Sequence, residues 1–260
     1  MLQSAWEVGE VHLWFNCIQE IIFDREGPIV EPKLIYLATR HPSLARAAFT
    51  ARWRQHGRLG MSMPRWKNIR RYAHCDVLQP GVEGISEAFD GVGLIWHRSP
   101  EARLRHRTDT SSQGQMEADE AETFAEPVRN FCLLAEEHEI RKGSPGPVKL
   151  IRFLQRREGV TRTEFLQRWI ADAPRYFLSF PGLSQALLRY VQNHTLPPER
   201  GDAWGLPSDC VDEFWFESEK TAVEAFRNLI EMGEWERTLA PTVTCVLTNE
   251  VVLHDRPELV

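Results

Sequence analysis

A chain of 260 residues, 42% hydrophobic and 26% charged, is long enough for two domains of about 100–120 residues. Its net charge of −6 argues against a general nucleic-acid binder, and no apolar run approaches the roughly 20 residues of a membrane span. The five cysteines (Cys17, Cys75, Cys132, Cys210 and Cys245) are scattered and odd in number. Together with an N-terminus that lacks a signal-peptide pattern, they predict a cytoplasmic protein with reduced thiols.

In chain order, residues 1–32 read as an N-terminal extension, with Val11–Phe15 as a short strand or apolar clasp. Trp14 and Phe15 there make a homodimer of the chain the expected assembly. Residues 33–140 follow as a first unit: strand Lys33–Thr39, helix Leu44–Arg58 with Ser43 as N-cap, strands Ile69–Val77 and Gly91–His97, helix Met116–Ala125 and strand Asn130–His138. Thr108–Gln115 reads as a polar loop. Residues 141–147, "RKGSPGP", form a Gly/Pro-rich linker. Residues 148–255 repeat the series. A strand at Val148–Arg156 leads to a helix capped by Thr161 and ending near Ala173. Strands at Leu183–Gln192 and Val211–Glu217, a helix at Lys220–Ile230 and a strand at Thr242–Leu253 complete it. Leu196–Leu206 is a Pro/Gly-rich insertion of a kind that often forms lids, and 256–260 is a tail.

The two units share words as well as order. "KLI" stands at Lys33 and Lys149, Trp53 is answered by Trp169, Tyr72 by Tyr190 and Trp96 by Trp215, at a nearly constant offset of about 116 residues. The expected fold class is therefore α+β: tandem ferredoxin-like (βαββαβ) repeats packed as a pseudo-symmetric α/β barrel.

The first helix of each unit carries the sharpest chemical signal. Phe49, Trp53 and His56 lie on one helical face, as do Phe165, Trp169 and Asp172. A buried His beside Trp is a candidate general acid or base, or else a helix-end group satisfied by carbonyls. On the second strand Tyr72, His74 and Asp76 alternate in one copy, and Tyr190, Gln192 and His194 in the other; Asn193 faces the opposite way. The stretch His41–Cys75 holds eight Arg and Lys residues and no acid. It reads as a solvated or paired basic face, or as the attractor of an anionic small molecule, most simply a carboxylate. His97 follows Trp96 and is either structural or part of a site. No metal spacing, nucleotide loop or nucleophile elbow occurs.

The run "VKLIRFLQRREGVTRTEFLQRWIADAP", with "RYVQNH" and "VDEFWFES", resembles the EthD-domain family of dimeric α/β-barrel proteins; "FTARWRQHGRL", "IRRYAHC" and "DGVGLIWH" of the first unit resemble it less closely. The resemblance implies two tandem copies and one of several activities that this superfamily hosts. It matches the family's helix His to His56 and its strand Asn-His to Asn193-His194. The expectation is a cofactor-independent lyase removing carbon dioxide or water from a small aromatic carboxylic acid, with neither metal nor cofactor. His56, His74 and Tyr72 would be catalytic. Trp53, Arg52, Arg65, Trp66, Arg71 and His97 would bind substrate, and Asp172, Tyr190, Asn193 and His194 are second-unit candidates. The alternatives are a cofactor-free monooxygenase and a non-enzymatic barrel binding haem or another small molecule.

Overall fold

The computed structural model describes residues 31–198, 204–231 and 234–256. The clasp expected at Val11–Phe15, Cys17 and part of the insertion lie outside these residues. Eight strands alternate with helices. The first half holds β1 (Pro32–Ala38), α1 (Arg46–Ser62), β2 (Ile69–Val77), β3 (Gly91–His97), α2 (Pro100–Thr108), α3 (Gln113–Thr123) and β4 (Cys132–Arg141). The second holds β5 (Val148–Gln155), α4 (Arg162–Leu178), α5 (Pro181–Ala186), β6 (Arg189–Thr195), β7 (Cys210–Phe216), α6 (Glu219–Glu231), α7 (Glu234–Leu239) and β8 (Thr242–Asp255).

The strands close into one antiparallel barrel in the order β1-β3-β2-β8-β5-β7-β6-β4. Each half thus contributes four neighbours in the same internal order, β4-β1-β3-β2 and β8-β5-β7-β6. The seams between halves are β2 with β8 and β4 with β6. Side chains alternate between the barrel interior and the outer face, which the helices cover. Ile35, Leu37, Ala73, Cys75, Val92, Leu94, Leu133, Ile151, Phe153, Val211 and Val246 fill the interior. Phe165, Trp169, Phe177, Tyr190 and Phe214 pack under the second half's helices, and Tyr36, Phe49, Trp53 and Phe124 under the first half's.

Part of the interior is ionic, and it repeats. Lys33 lies over Trp96 at 4.5 Å and Arg71 over the same ring at 5.2 Å; Lys149 and Arg189 lie over Trp215 at 4.3 and 5.0 Å. Glu137 takes Lys33 at 2.7 Å, and Glu250 takes Lys149 and also Arg71 at 2.9 Å. Between the halves sits the fully buried Glu213, which has no counterpart one repeat away. It accepts from both Lys33 and Lys149, the latter at 2.6 Å, and from Asn193 at 2.9 Å. Two lysines brought together inside a barrel need a shared anion, and Glu213 supplies it.

Several expected boundaries move for identifiable reasons. Ser43 does not cap α1; its hydroxyl meets His41 Nδ1 at 2.7 Å, and the helix starts at Arg46 behind Ala45. Thr161 does cap α4, accepting from the Glu164 amide at 3.2 Å. That helix runs on through Pro174 to Leu178, because Phe177 is fully buried against Trp169 and Tyr190. Residues 183–186, expected as strand, belong to α5 instead. Pro181 opens its first turn, and Leu183 and Leu187, four apart, are both buried. Helix α2 was not expected; Ser99 caps it, accepting from the Ala102 amide at 3.1 Å, with Pro100 next.

Candidate active site

Between α1 and the outer face of β1, β3 and β2 lies a cavity of about 130 Å³, lined by Tyr36, His56, Arg65, Trp66, Tyr72, His106 and Glu120, with Leu34, Ile95, Met116 and Val128. That is close to the roughly 150 Å³ that accommodates one benzene ring. The space exists because of what α1 and β3 leave out. Gly57 and Gly60 face it, and Ile95 forms part of its floor. At the corresponding places of the second half, α4 and β7 hold Ala173, Tyr176 and Phe214, and Phe214 stacks on Tyr190 at 4.4 Å. Gly93 serves the site from behind: a Cβ there would fall 1.9 Å from the Tyr36 ring.

His56 is buried, and its Nδ1 meets Asp119 Oδ2 at 2.6 Å. Arg52 holds the same carboxylate at 2.7 Å. Partial burial pushes the Asp119 carboxyl up, but the hydrogen bonds from Arg52 and His56 outweigh it and keep it below the usual range. The ionised carboxylate therefore accepts Nδ1–H, which leaves Nε2 of His56 as the unprotonated nitrogen. Burial lowers the His56 pKa, opposed by Asp119, so the ring is neutral near pH 7.

Behind the opposite wall runs a chain of hydrogen bonds. Arg54 contacts His74 Nδ1 at 2.6 Å and Asp76 at 2.5 Å. His74 Nε2 reaches the Tyr72 hydroxyl, which lies 3.2 Å from the Tyr36 hydroxyl, and Trp53 Nε1 donates to Tyr36 at 3.0 Å. Trp53 stacks on His74 with centroids 3.6 Å apart. Burial raises both tyrosine pKa values, so both phenols keep their protons.

Of the residues expected to form the site, the structure brings His56, Tyr72, Arg65 and Trp66 to one cavity. His74 and Trp53 stand behind the wall instead, with both nitrogens of His74 engaged and Trp53 wholly buried. Arg52 is not among the residues that line the cavity; Asp119 takes its guanidinium. Arg71 points into the barrel to Glu250, as it must once its neighbour Tyr72 points out. His97 is structural, its Nδ1 meeting the Pro32 carbonyl at 3.1 Å. The basic stretch is largely paired, with Arg46 on Asp90 and Arg70 on Glu31 besides the pairs above.

The second-unit candidates do not converge. Asn193 faces the interior, while Tyr190 and His194 face outward. Tyr190 bonds Asp212 at 3.3 Å, His194 bonds Gln192 at 3.1 Å, and Asp172 is only partly buried. Gly205 and Leu206, at the end of the insertion, do not line this pocket; with Pro207, Leu37, Phe153 and Thr244 they border a separate opening of about 300 Å³.

Sequence reasoning missed Tyr36, Asp119, His106 and Glu120. One signal was available for Tyr36: "KLI" is followed by Tyr36 in one unit and by Arg152 in the other.

Residues 41–127 match the family model of the EthD domain. The matched segment runs from α1 to α3, the elements that build most of the pocket. It lies in the first half, although the second half was expected to be the closer match. No curated protein matches the chain in sequence. Among solved structures, an anthrone oxidase-like protein is similar over 90% of this chain and 98% of its own, at 10% identity and a TM-score of 0.53. A candidate monooxygenase from Fusobacterium nucleatum subsp. nucleatum is similar over 88% of this chain and 94% of its own, at 7% identity and a TM-score of 0.51. At such identities the likeness is one of fold: α+β, with a closed eight-stranded antiparallel barrel. Among the described residues, no helix is long and apolar enough to cross a membrane.

Proposed function

We propose that this EthD-domain chain is a cofactor-independent lyase that removes carbon dioxide or water from a small aromatic carboxylic acid. We also propose that its halves are tandem copies of one unit, of which the first keeps the site. The observation that carries the reading is the neutral, carboxylate-backed His56 at a cavity the size of one ring. His56 Nε2 takes the proton of a phenol or of a carbon next to a carbonyl. Tyr72 donates to the oxygen on which charge collects. Arg65, which lines the cavity, pairs with the substrate carboxylate. In decarboxylation the bond to the carboxylate carbon breaks, its electron pair passes into the ring, and protonated His56 returns a proton to the ring carbon. In dehydration the same proton leaves with hydroxide as water.

The test is turnover of single-ring hydroxy acids, with mass analysis of the products. His56→Ala is expected to lower kcat by about 10²-fold or more; undiminished turnover would remove His56 from the chemistry. The pH profile checks the same assignment. The base must be neutral, so kcat/KM should rise with pH along an acid limb whose midpoint lies below the ordinary 6.5. Asp119 opposes the lowering, so Asp119→Asn should move that limb to still lower pH while reducing the rate. A limb that stays put, or moves upward, contradicts the pairing.

A second reading is a cofactor-free monooxygenase of the same barrel class. It is favoured by the two structural likenesses, one described as anthrone oxidase-like and one as a candidate monooxygenase. Oxygen consumption matched to product separates it from the lyase.

A further inference from the structure

The geometry points to Tyr36 and Tyr72 as a paired oxyanion site, in which two phenolic hydroxyls, each receiving an N–H from behind, bind one phenolate or enolate oxygen. It rests on the pocket being the acid–base site proposed above, and it adds Tyr36 and the donors behind the wall to that site.

The argument starts from Arg54. A guanidinium can only donate, so His74 Nδ1, 2.6 Å from it, must be the accepting nitrogen. A neutral imidazole with an unprotonated Nδ1 carries its proton on Nε2. That Nε2–H is aimed at the Tyr72 hydroxyl, so Tyr72 oxygen accepts. Tyr36 oxygen is fed in the same way by Trp53 Nε1 at 3.0 Å. Neither tyrosine therefore has to spend its own proton on the groups behind it. Both tyrosines line the cavity, and among the described residues their two O–H protons are offered only each other.

Their mutual contact is 3.2 Å, longer than the usual 2.7–2.8 Å of an O–H···O bond. One proton bridges the pair weakly, and the other has no acceptor among the described residues. A ligand oxygen placed against both would take both protons and leave the rear hydrogen bonds intact. Such a pair favours an oxygen bearing negative charge over a neutral hydroxyl. The stack of Trp53 on His74, and Gly93, across which the Tyr36 ring lies, hold the hydroxyls in place without moving parts. Arg54 and His74 are positioning residues here; they do not reach the cavity.

The test uses the whole chain and two ring-sized probes, 4-nitrophenol and nitrobenzene. Absorbance titration from pH 5 to 9 separates binding of phenol from binding of phenolate. The wild type is expected to bind the phenolate more tightly than the neutral phenol. Tyr36→Phe and Tyr72→Phe should each weaken phenolate binding about 10-fold or more, with nitrobenzene binding unchanged. Arg54→Met should reproduce the Tyr72→Phe loss and add nothing to it in the double variant, whereas Arg54→Lys, which keeps a donor, should restore part of it. In imidazole ¹⁵N spectra, His74 of the wild type should have an unprotonated Nδ1.

The proposal is overturned if phenolate binds no better than nitrobenzene, or if Tyr36→Phe leaves phenolate affinity unchanged. It can fail separately from the lyase. Turnover that survives Tyr36→Phe with unchanged phenolate affinity removes the paired site and keeps the lyase. Phenolate binding that depends on both tyrosines, in a protein that releases neither carbon dioxide nor water, keeps the site and removes the lyase.

Discussion

Glu213→Ala is expected to lower the unfolding free energy by about 3–5 kcal/mol, the usual effect of leaving a buried charge without its partner. Glu213 is wholly enclosed and accepts from Lys33 and Lys149 at once. Burial pushes its carboxyl up, but the two ammonium groups, Lys149 first, outweigh that and hold it well below the usual carboxylate range. Lys149 is likewise kept charged: burial disfavours the ammonium, and its neighbours, Glu213 and Glu250 among them, override it. Without Glu213, Lys33 keeps Glu137 and Lys149 keeps Glu250, but two cations then face each other across the barrel. Urea unfolding gives the number. The triple variant Lys33→Met/Lys149→Met/Glu213→Leu should recover much of the loss, because well-packed apolar groups replace buried ion pairs with little penalty. A single variant with an unshifted midpoint would show that Glu213 does not neutralise the lysines.

Acid is expected to unfold the protein from a higher pH than carboxylate protonation alone would require. Burial is the first cause of a lowered pKa at His56, His74, His97, His106 and His194, with His106 brought to about 4 and His194 to about 3. Unfolded, each takes up a proton below about pH 6.5; folded, each resists until its own lower value. The unfolded state thus binds more protons in that window, and stability falls as pH falls through it. His106 alone contributes a loss of about 3 kcal/mol by pH 4. Asp212 works the other way. Burial raises it to about 7, so folding takes up its proton and is favoured as pH drops from about 7 to 3.8. Burial raises Asp76 and Glu120 in the same sense, but the five histidines outnumber these three carboxyls. Below about 4.5, Glu213, Glu250 and Glu137, all held low, add to the loss. Urea midpoints measured between pH 7.5 and 4 should fall steadily. A flat profile down to pH 5 would mean that these histidines reach solvent.

Much of the fold could be read from the order of strands and helices. Ile69–Val77 and Gly91–His97 are strands with the expected limits, because period-two alternation and flanking breakers mark both. Helices α2 and α5 were lost because each is short and opens on a proline, which reads as a break unless the following Leu or Ala spacing is weighed. The site divides in a similar way. His56 and Tyr72 sit on visible stripes. Asp119 and Tyr36 meet them only across elements whose packing has no local signature. Arg71 is a different case. It and Tyr72 are consecutive on one strand and cannot face one cavity. Parity alone could have excluded one of them.

The closed barrel also bears on how the chain is made. Strands leave the ribosome in order, and β2 and β4, the outer members of the first four, find their second neighbours only in β8 and β6. While the second half is still being synthesised, the first four strands have two open edges and an uncovered face. That face carries Lys33, Arg71 and Glu137. Inward-pointing charges discourage unfinished sheets from sticking to one another. The same ions that need Glu213 in the finished barrel therefore act earlier as guards, keeping nascent halves apart until their own second half arrives.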